Sequence, residues 1–394
     1  MMTTDIFVLS AVRTAIGTFG GALRNVAPSR LAATVIREAL VRCHVEPTKV
    51  EHVVMGNVIP TEPRDAYLSR AAAIEAGIPL ECPAFNVNRL CGSGLQAVVS
   101  ASQGLMLGDS EIAVAGGAES MSRAPYLAQT ARWGARMGDA QLLDYMAGVL
   151  HDPFQNIHMG MTAENVAERE GVSREQQDDL ALESQRRAFR AISEGRFSSQ
   201  IVSIELPSKK GTTQFDRDEH VRADVTREQL AAMRPAFKTG GTVTAGNASG
   251  VNDGAAALVL ATGAAVKRYG LEPMARLVGY AHAGLDPAYM GLGPIPATRA
   301  LLSRTGLRVS DFDVIESNEA FAAQAYAVCR TLKFDPAKVN PNGSGIALGH
   351  PIGATGAINS VKAVHELQRT GGRYALVTMC IGGGQGIAAA FERV

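Results

Sequence analysis

Two cysteines, one histidine and one asparagine stand beside glycine-rich segments in this 394-residue chain, where the backbone can come close to a bound molecule. Cys91 lies in the segment NRLCGSGLQA at 88–97, directly before a run of helix-forming residues. The positive end of a helix dipole lowers the pKa of a nearby thiol and favours the reactive thiolate. The segment therefore predicts a nucleophilic cysteine, although a single cysteine at such a place is more often buried and inert.

His350 lies in a second glycine-rich segment, GHPIGATG at 349–356, before another predicted helix. A histidine with a pKa near neutral is a suitable base for a thiol nucleophile, and a rigid turn would hold its ring in place. Pro351 fits the start of that helix. We therefore expect a cysteine and histidine pair, although a lone histidine in a loop is more often structural.

Cys380 and Asn318 are each predicted at the end of a strand. The apolar run 374–378 leads into CIGGGQG at 380–386, whose glycines offer backbone N–H groups that could stabilise an oxyanion. Asn318, in the segment SNEAF at 317–321, could hydrogen-bond a water or a ligand. A cysteine at a strand end is usually part of the core, so neither motif decides the function alone.

The segment around Cys91 also fits a loose dinucleotide-binding pattern, with Gly92, Gly94 and Ala97 as its small residues. Glu111 stands near the place of the acid that binds a ribose. Against this alternative, 83–88 is a poor strand to precede such a turn, and Glu111 opens a predicted strand instead of ending one. The pattern therefore disfavours a nicotinamide-dependent enzyme.

Short apolar runs of β type alternate with helical patterns, which indicates an α/β fold with buried sheets. These runs lie at 6–10, 52–55, 111–115, 256–261, 275–279, 313–316 and 374–379. Residues 37–53 can be aligned with 299–315 at a constant offset of 262 positions. The match suggests an internal duplication, although chance similarity between short amphipathic windows stays open.

The region at about 121–245 differs from the rest of the chain, because it carries most of the long polar helix patterns. Ser173–Gln176 is a capping box that opens a helix, and Gly195 is placed to end it. We therefore predict a first half over 1–270, which contains this inserted loop domain, and a second half over 271–394.

The composition excludes several classes of protein. Lysine plus arginine (38) equals aspartate plus glutamate (38), so no overall field favours nucleic acid or an anionic membrane. Five scattered cysteines form neither a disulfide framework nor a paired metal site, which indicates a reducing compartment. The N-terminus lacks a signal-peptide pattern, and the apolar stretch at 255–266 is too short to span a bilayer. We expect a soluble, cytoplasmic protein without a bound metal.

Together, the motifs NRLCGSG, GHPIGATG, CIGGGQG and NEAF resemble the thiolase family in order and spacing, as does TAGNASG at 244–250. The resemblance covers nearly the whole chain. The segments at 61–70 and 132–139 are most similar to bacterial β-ketothiolases of the polyhydroxyalkanoate type. The resemblance implies a thiolase fold, in which two similar α/β halves form a layered αβαβα core, and a homotetramer built as a dimer of dimers.

The resemblance also implies an acetyl-CoA acyltransferase, which joins acetyl-CoA to a short acyl-CoA or cleaves a 3-ketoacyl-CoA. Cys91 would be acylated after activation by His350, and Cys380 would exchange a proton with the methyl carbon of acetyl-CoA. His350 and a water held by Asn318 would form one oxyanion hole. The backbone N–H groups of Cys91 and Gly382 would form a second.

Coenzyme A would be a substrate bound on the inserted domain, with no tightly bound cofactor. The contacts of the family map onto six residues of this chain, namely His158, Met159, Arg222, Phe237, Ala245 and Ser249. Arg222 would be the cation at the nucleotide end. Phe321 would contact the substrate and Met290 would line the acyl pocket, although a methionine is more often simple packing.

Two alternatives stay open beside this interpretation. A decarboxylating ketoacyl synthase of the same superfamily would not need a second cysteine at position 380. A non-catalytic relative would bind acyl-CoA without turnover. The similarity to enzymes of the polyhydroxyalkanoate type favours substrates longer than acetoacetyl-CoA.

Overall fold

The computed structural model describes residues 4–208 and 211–394 as an α/β structure built on one large sheet. The strands are β1 Ile6–Thr14, β2 Gly17–Thr18, β3 His52–Gly56, β4 Ala84–Val87, β5 Ile112–Ser120, β6 Tyr126–Leu127, β7 Leu143–Asp144, β8 Ile201–Val202, β9 Ile204–Ser208, β10 Gly211–Phe215, β11 Asn252–Thr262, β12 Ala275–Gly284, β13 Val314–Ser317, β14 Tyr374–Ile381 and β15 Gln385–Arg393. The α-helices are α1 Pro28–Arg42, α2 Leu68–Glu75, α3 Ser93–Leu107, α4 Tyr145–Val149, α5 Met159–Glu170, α6 Arg174–Ser193, α7 Arg227–Ala231, α8 Gly263–Tyr269, α9 Pro294–Thr305, α10 Ala322–Leu332, α11 Gly345–Leu348 and α12 Thr355–Thr370. None of these helices combines the length and the apolar character that a bilayer crossing requires.

The large sheet runs in the order β13-β14-β15-β12-β1-β11-β5-β3-β4, with β2 and β8 as short side partners. Neighbours are parallel between β13 and β14 and along β5, β3 and β4, and the other neighbours in this order are antiparallel. β5 and β11 are buried over their whole length, as expected for strands covered on both faces. The residue pairs Phe7 with Arg276 and Val8 with Ala275 join β1 to β12, so the two parts of the sheet share a short connection.

Helices lie in three layers, one between the two parts of the sheet and one on each outer side. α1 packs on β1, β5 and β11, whereas α9 packs on β12, β14 and β15. α3 and α12 pack on each other in the central layer. α3 contacts β3 and β5, and α12 contacts β1 and β11 of one part and β13 and β14 of the other. The layered αβαβα core is therefore confirmed.

All seven predicted strand runs coincide with strands, and six of them agree to within one residue at their first position. The seventh, predicted at 256–261, lies inside β11, which begins four residues earlier at Asn252. The prediction that 83–88 is a poor strand is wrong, because Ala84–Val87 forms β4 and pairs in parallel with β3. β4 ends the sheet order and Phe85 is exposed, so this strand lacks the continuous apolar run of an inner strand. The apolar pattern also does not predict β15, which follows β14 after a glycine turn.

Equivalent elements of the two parts begin at a constant interval. Ser93 and Thr355 open α3 and α12, Ile112 and Tyr374 open β5 and β14, and the members of each pair lie 262 positions apart. This interval equals the offset found in the sequence and supports an internal duplication. The boundary predicted at 270–271 lies in the connection between α8 and β12, and the limits of the two halves stay predictions.

The region predicted as an insertion holds α4 to α7 and the two-stranded sheets β6–β7 and β9–β10. The capping box is confirmed: the Ser173 hydroxyl accepts from the backbone of Gln176 at 3.2 Å, and the Gln176 side chain accepts from the backbone of Ser173 at 2.9 Å. Gly195 follows the end of α6 with a φ of 69°, in the left-handed region that glycine tolerates. The limits of the inserted domain stay predictions.

Candidate active site

The N-terminal ends of α3 and α12 lie side by side, and two glycines make that contact possible. A Cβ atom on Gly94 would lie 2.6 Å from the backbone nitrogen of Ala357, and one on Gly356 would overlap the backbone of α3. No side chain larger than hydrogen fits at either position. Because Cys91 lies two residues before α3 and His350 lies five residues before α12, the contact brings both residues to one place.

A cavity of about 300 Å³ lies at this end of the two helices. Ten of the residues predicted to be functional line it: Cys91, His158, Met159, Phe237, Ser249, Met290, Phe321, His350, Cys380 and Gly382. The three others are not among its lining residues. Asn318 is buried behind the wall, whereas Arg222 and Ala245 are exposed on the surface.

Much of the remaining wall is apolar and is not predicted by any motif. It consists of Leu90, Met121, Val149, Leu150, Ala248, Val251, Ala320 and Ile352, together with Gly250. These residues come from separate loops and helix ends, and one apolar residue in a single sequence carries no sign of the cavity it lines. The cavity therefore combines two thiols and an imidazole with an apolar wall.

Cys91 lies two residues before α3, and Gly92 caps that helix. The preceding Leu90 has a φ of 45°, in the left-handed region that leucine rarely adopts. Burial raises the pKa of the Cys91 thiol to about 11, against a backbone hydrogen bond from Gly382 that lowers it. The prediction of a lowered thiol pKa is wrong, because the loss of hydration outweighs the backbone hydrogen bonds that favour the thiolate. Cys91 is half-buried and lines the cavity, and its neutral thiol needs a base to become a nucleophile.

The two ring nitrogens of His350 have different surroundings. Nδ1 lies 2.7 Å from the hydroxyl oxygen of Thr355, and that hydroxyl donates its one proton to the carbonyl of Pro351 at 2.9 Å. Nδ1 must therefore carry a proton and donate it to Thr355, which leaves a lone pair on Nε2. Nε2 is buried and has no hydrogen-bond partner among the described residues. It is the free base of the site.

Burial lowers the pKa of His350 to about 4. The prediction of a near-neutral pKa is wrong, because the ring has lost its hydration and its partner at Nδ1 is a neutral hydroxyl. The backbone N–H of His350 donates to Oδ1 of Asn252 at 2.9 Å, which fixes the loop. Pro351 does not open the helix: α12 begins at Thr355, and the carbonyl of Pro351 accepts the N–H of Thr355.

Asn318 directly follows β13, as its motif predicts. Its backbone is held on both sides, because its N–H donates to the carbonyl of Thr378 at 3.0 Å and its carbonyl accepts Nε2 of Gln324 at 3.2 Å. In the described part of the chain, neither Nδ2 nor Oδ1 of its buried amide has a partner. An unpaired buried amide is costly, so a rigidly held one indicates a place that can bind a water or a ligand.

Cys380 lies near the end of β14, opposite Gly386 of β15. Burial raises the pKa of its thiol far above the usual range, and negative charge on Cys91 raises it further. The two sulfur atoms are therefore close enough to interact electrostatically. Burial keeps both thiols neutral at rest, and repulsion between two neighbouring thiolates further disfavours ionising both.

An aromatic stack forms one side of the cavity. The rings of His158 and Phe237 are parallel with centroids 4.7 Å apart, and Phe237 meets Phe321 edge to face at 6.2 Å. Nδ1 of His158 accepts the backbone N–H of Gly160 at 3.0 Å, so the neutral ring carries its proton on Nε2. The stack offers a flat apolar surface with one hydrogen-bond donor to a bound molecule.

The dinucleotide-binding alternative does not fit this geometry. Glu111 forms an ion pair with Arg268 just before β5 begins. A Cβ on Gly92 would lie 2.6 Å from the side chain of Ile381, and Gly94 already contacts α12. Both glycines are used to pack protein against protein, so they form no cradle for a pyrophosphate.

Comparison with known proteins gives matches along the whole chain. A family model described as "Thiolase, N-terminal domain" matches residues 6–264, and one described as "Thiolase, C-terminal domain" matches 271–393. "Beta-ketothiolase BktB" of Cupriavidus necator is 64% identical over 394 residues, which is 100% of both chains. "Acetyl-CoA acetyltransferase" of Escherichia coli K12 is 48% identical over 392 residues, which is 98% of each chain.

Solved structures are similar to the same extent. The acetyl-CoA acetyltransferase of Bacillus anthracis superposes with a TM-score of 0.97 at 46% identity, over 99% of both chains. Human mitochondrial 3-ketoacyl-CoA thiolase in complex with CoA superposes with a TM-score of 0.96 at 44% identity, over 100% of this chain and 99% of that one. With matches of this length, and with the motif cysteines and histidine around one cavity, the chain belongs to the thiolase family.

Proposed function

We propose that this protein is an acetyl-CoA acyltransferase, which condenses acetyl-CoA with a short acyl-CoA and, in reverse, cleaves a 3-ketoacyl-CoA with coenzyme A. The observation that carries the proposal is the meeting of Cys91, His350 and Cys380 at one cavity, with the N–H of Gly382 at the sulfur of Cys91. Relatives named beta-ketothiolase and acetyl-CoA acetyltransferase support the same reaction class.

The first half-reaction forms a thioester on Cys91. Nε2 of His350 removes the thiol proton, and the sulfur attacks the carbonyl carbon of the substrate thioester. The backbone N–H groups of Cys91 and Gly382 meet the charge that develops on the carbonyl oxygen. The intermediate collapses to acyl-Cys91, and the departing coenzyme A thiolate takes the proton from His350. This transfer is necessary because thiol and imidazole are both neutral at rest.

The second half-reaction joins two carbons. Cys380 first passes its thiol proton to Nε2 of His350 and then, as a thiolate, removes a proton from the methyl carbon of acetyl-CoA. The enolate attacks acyl-Cys91, and the departing sulfur of Cys91 takes the proton back from Nε2. With that proton on Nε2, the Nε2–H of His350 and a water on the unpaired amide of Asn318 are placed to stabilise the enolate oxygen. Cleavage runs these steps in reverse, with the Cys380 thiol protonating the enolate. The raised pKa of Cys380 makes its thiolate a strong base.

The surface beside the cavity is suited to bind coenzyme A as a substrate. The stack of His158 and Phe237 would carry its chain into the cavity, with Met159 and Ser249 beside it. The exposed Arg222 would meet the negative nucleotide end. Ala245 would contact the ligand outside the cavity, on the same surface. The complex of the human thiolase with CoA supports this assignment of the ligand.

We propose that short acyl chains beyond acetyl also fit. Met121, Leu150, Met290 and Ile352 give the cavity an apolar wall beside Cys91 and leave no charge for a chain to meet. One added methylene contributes about 1–3 kcal/mol of discrimination in such a wall. Together with the similarity to BktB, this supports 3-ketovaleryl-CoA beside acetoacetyl-CoA, and a role in supplying polyhydroxyalkanoate precursors.

The test is thiolysis of acetoacetyl-CoA and 3-ketovaleryl-CoA by wild type and by the Cys91→Ser and Cys380→Ser variants, followed as loss of the ketoacyl thioester. We expect wild-type cleavage and a loss of at least about a thousandfold in both variants, because each removes a reacting group. Full activity of Cys91→Ser would sink the proposal. Malonyl-thioester turnover that survives in Cys380→Ser would favour a decarboxylating synthase, and coenzyme A binding without any cleavage would favour a non-catalytic relative.

We further propose a cytoplasmic homotetramer, arranged as a dimer of dimers. Two surfaces support the assembly: the edge strand β4, where Phe85 is exposed, and the segment between β6 and β7, which exposes Trp133, Met137 and Leu142. Exposed apolar groups of this size are typical of interfaces. Light scattering across a dilution series measures the mass, and a monomer at all concentrations would contradict the assembly.

A further inference from the structure

Glu119 is a buried carboxylate that the reaction steps above do not use. It is the penultimate residue of β5 and has no exposed surface. Its Oε2 accepts the backbone N–H of Gly353 at 2.8 Å and that of Val58 at 3.1 Å. Its Oε1 accepts the backbone N–H of Ile59 at 3.1 Å and a side-chain N–H of Asn57 at 3.0 Å. Glu119 thus connects three segments: its own strand β5, residues 57–59 and the loop that contains Gly353.

One of these segments is the loop that carries His350. Gly353 lies in this loop, between His350 and the start of α12, and its backbone is pressed onto β5: a Cβ on Gly117 would overlap the carbonyl of Gly353. A Cβ on Gly353 itself would lie 2.5 Å from Oε2 of Glu119. The hydrogen bond from Gly353 therefore fixes the His350 loop onto a strand of the part of the chain that supplies Cys91.

The four donors suit the ionised form of Glu119. Every donor is an N–H group, so a protonated carboxyl would turn an O–H toward groups that cannot accept it. Burial raises the pKa of Glu119 to about 8, against the N–H groups of Ile59, Gly353 and Val58, which lower it. Glu119 is therefore a carboxylate above this pH, and at lower pH a proton on it would face four N–H donors and no acceptor. Burial is the main cause of the raised pKa of the Cys91 thiol, and the negative charge of Glu119 raises it a little further.

We propose that Glu119 is a positioning residue of the acyl-transfer reaction, which holds the His350 loop in register with Cys91 through the backbone of Gly353. It touches neither substrate nor reacting atoms. Its carboxylate accepts the loop N–H that water would accept in the unfolded chain. Glu119 lies in the first part of the chain, whereas the His350 loop lies in the second. The inference rests on the proposed function and adds a residue to the machinery of that site.

Two variants of Glu119 separate its geometry from its charge. Glu119→Gln keeps the length but turns an NH₂ group toward two of the four N–H donors, whereas Glu119→Asp keeps the charge but is one methylene too short. Both should misplace Nε2 of His350. We expect kcat for thiolysis to fall by about a hundredfold in each, with KM little changed, since displacements near 1 Å cost about that much.

The pH profile of Cys91 alkylation by iodoacetamide is a second readout. If Glu119 had a purely structural role, the two variants would have the same profile. In Glu119→Gln the profile should move to lower pH, because the charge that raises the thiol pKa is gone. In Glu119→Asp it should stay near that of wild type. Glu119→Gln would thus combine a lower pKa of the Cys91 thiol with a lower kcat, whereas Glu119→Asp would lower kcat alone.

Glu366→Gln is the matched control, because Glu366 is a buried carboxylate on α12 that accepts from Asn342 and Arg369 and does not touch the His350 loop. It should leave kcat near wild type. Gly353→Ala should lower kcat like Glu119→Gln, and the double variant should lose little more, since both act on one contact.

Wild-type thiolysis is measured first, and its absence would sink the proposed function without involving Glu119. With wild type active, folded Glu119 variants that keep full kcat would overturn the positioning role. So would losses of Glu119→Gln and Gly353→Ala that multiply in the double variant, because the two residues would then act independently.

Discussion

The thiols of Cys91 and Cys380 and the imidazole of His350 are all neutral in the free site, because burial raises the two thiol pKa values and lowers that of the histidine. A thiolate is the form that reacts with oxidants and alkylating agents. While the Cys91 thiol and His350 are neutral, Cys91 reacts slowly with such agents. It becomes a thiolate only when a thioester binds and the thiol proton moves to Nε2 of His350. Reactivity at the residue scale therefore depends on which nitrogen of His350 is free.

Thr355 sets that choice, so its hydroxyl is a testable residue. Thr355→Val keeps the shape but leaves Nδ1–H without an acceptor, and the other tautomer, with a protonated Nε2, gains population. We expect kcat for thiolysis to fall by about tenfold, equivalent to about 1.4 kcal/mol for one lost buried hydrogen bond. Thr355→Ser should retain most activity. Thr370→Val, on the same helix but bonded to Glu366, is the control, and equal activity of both valine variants would refute the tautomer argument.

The lowered pKa of His350 also predicts how stability depends on pH. An unfolded histidine titrates near pH 6.5, whereas the folded one titrates at about 4. Between these values the unfolded state binds a proton that the folded state does not, so stability falls as the pH falls through this window, by up to about 1.4 kcal/mol per pH unit. Urea unfolding at a fixed protein concentration should show that wild type loses this stability relative to His350→Asn. Parallel curves for the two proteins would contradict it.

The sequence predicts the chemical identity of the site residues but not their proton affinities. Cys91, His350 and Cys380 stand in glycine-rich motifs that any reader of the chain can find. Their pKa values depend on how much water the fold removes, which is a property of distant segments. The same reason hides Glu119, since its partners at 57–59 and Gly353 are far from it along the chain.

At the scale of elements, the contact between the N-terminal ends of α3 and α12 decides the geometry of the site. Gly94 and Gly356 let the two backbones touch, and no hydrogen bond or ion pair could replace this closeness. Interiors pack at crystal-like density, so an added methyl group there must move a helix. A small displacement of either helix moves Cys91 away from His350.

Gly94→Ala tests this contact against a control on the same helix. A Cβ at Gly94 would lie 2.6 Å from the backbone of Ala357, whereas one at Gly104 would meet no atom within 4 Å. We expect Gly94→Ala to lower the free energy of unfolding by about 1–3 kcal/mol and to reduce kcat. Gly104→Ala should raise stability by up to about 1 kcal/mol, since alanine is the better helix former. Equal effects of the two changes in urea unfolding would disprove the role of the contact.

Most elements follow from local patterns, and the exceptions have a physical cause. The inner strands β5 and β11 are buried on both faces, so their apolar runs are visible in the sequence. β4 is stabilised by pairing with β3 although its own residues are partly exposed. Its strand character comes from its neighbour, which a window of sequence does not contain.

At the scale of the whole molecule, the central helix layer makes one folding unit of two similar parts. α12 packs on strands of both parts, and the largest core cluster joins Val98 and Val99 of α3 to Val361 and Val364 of α12. Neither part can bury its inner face alone. The active site therefore lies between the two similar parts, with Cys91 from the first and His350 and Cys380 from the second.

We expect calorimetry to show a single unfolding transition in which both parts melt together. A calorimetric enthalpy equal to the van't Hoff enthalpy, at a fixed protein concentration, would establish this cooperativity. The physical reason is the shared apolar layer, which is exposed as soon as either part opens. Two separated transitions would show that the parts are independent domains.

The paired glycines of α3 and α12 also bear on how such proteins can be recombined. Gly94 comes from the first part of the chain and Gly356 from the second, so each parent of a chimera joined in the connection at 270–274 contributes one of them. Two parents that both keep glycine at these positions should yield an active hybrid. A parent with a larger residue at one of these positions must have the facing helix displaced in its other part. A chimera would then combine the larger residue with a helix that is not displaced, and the two would clash.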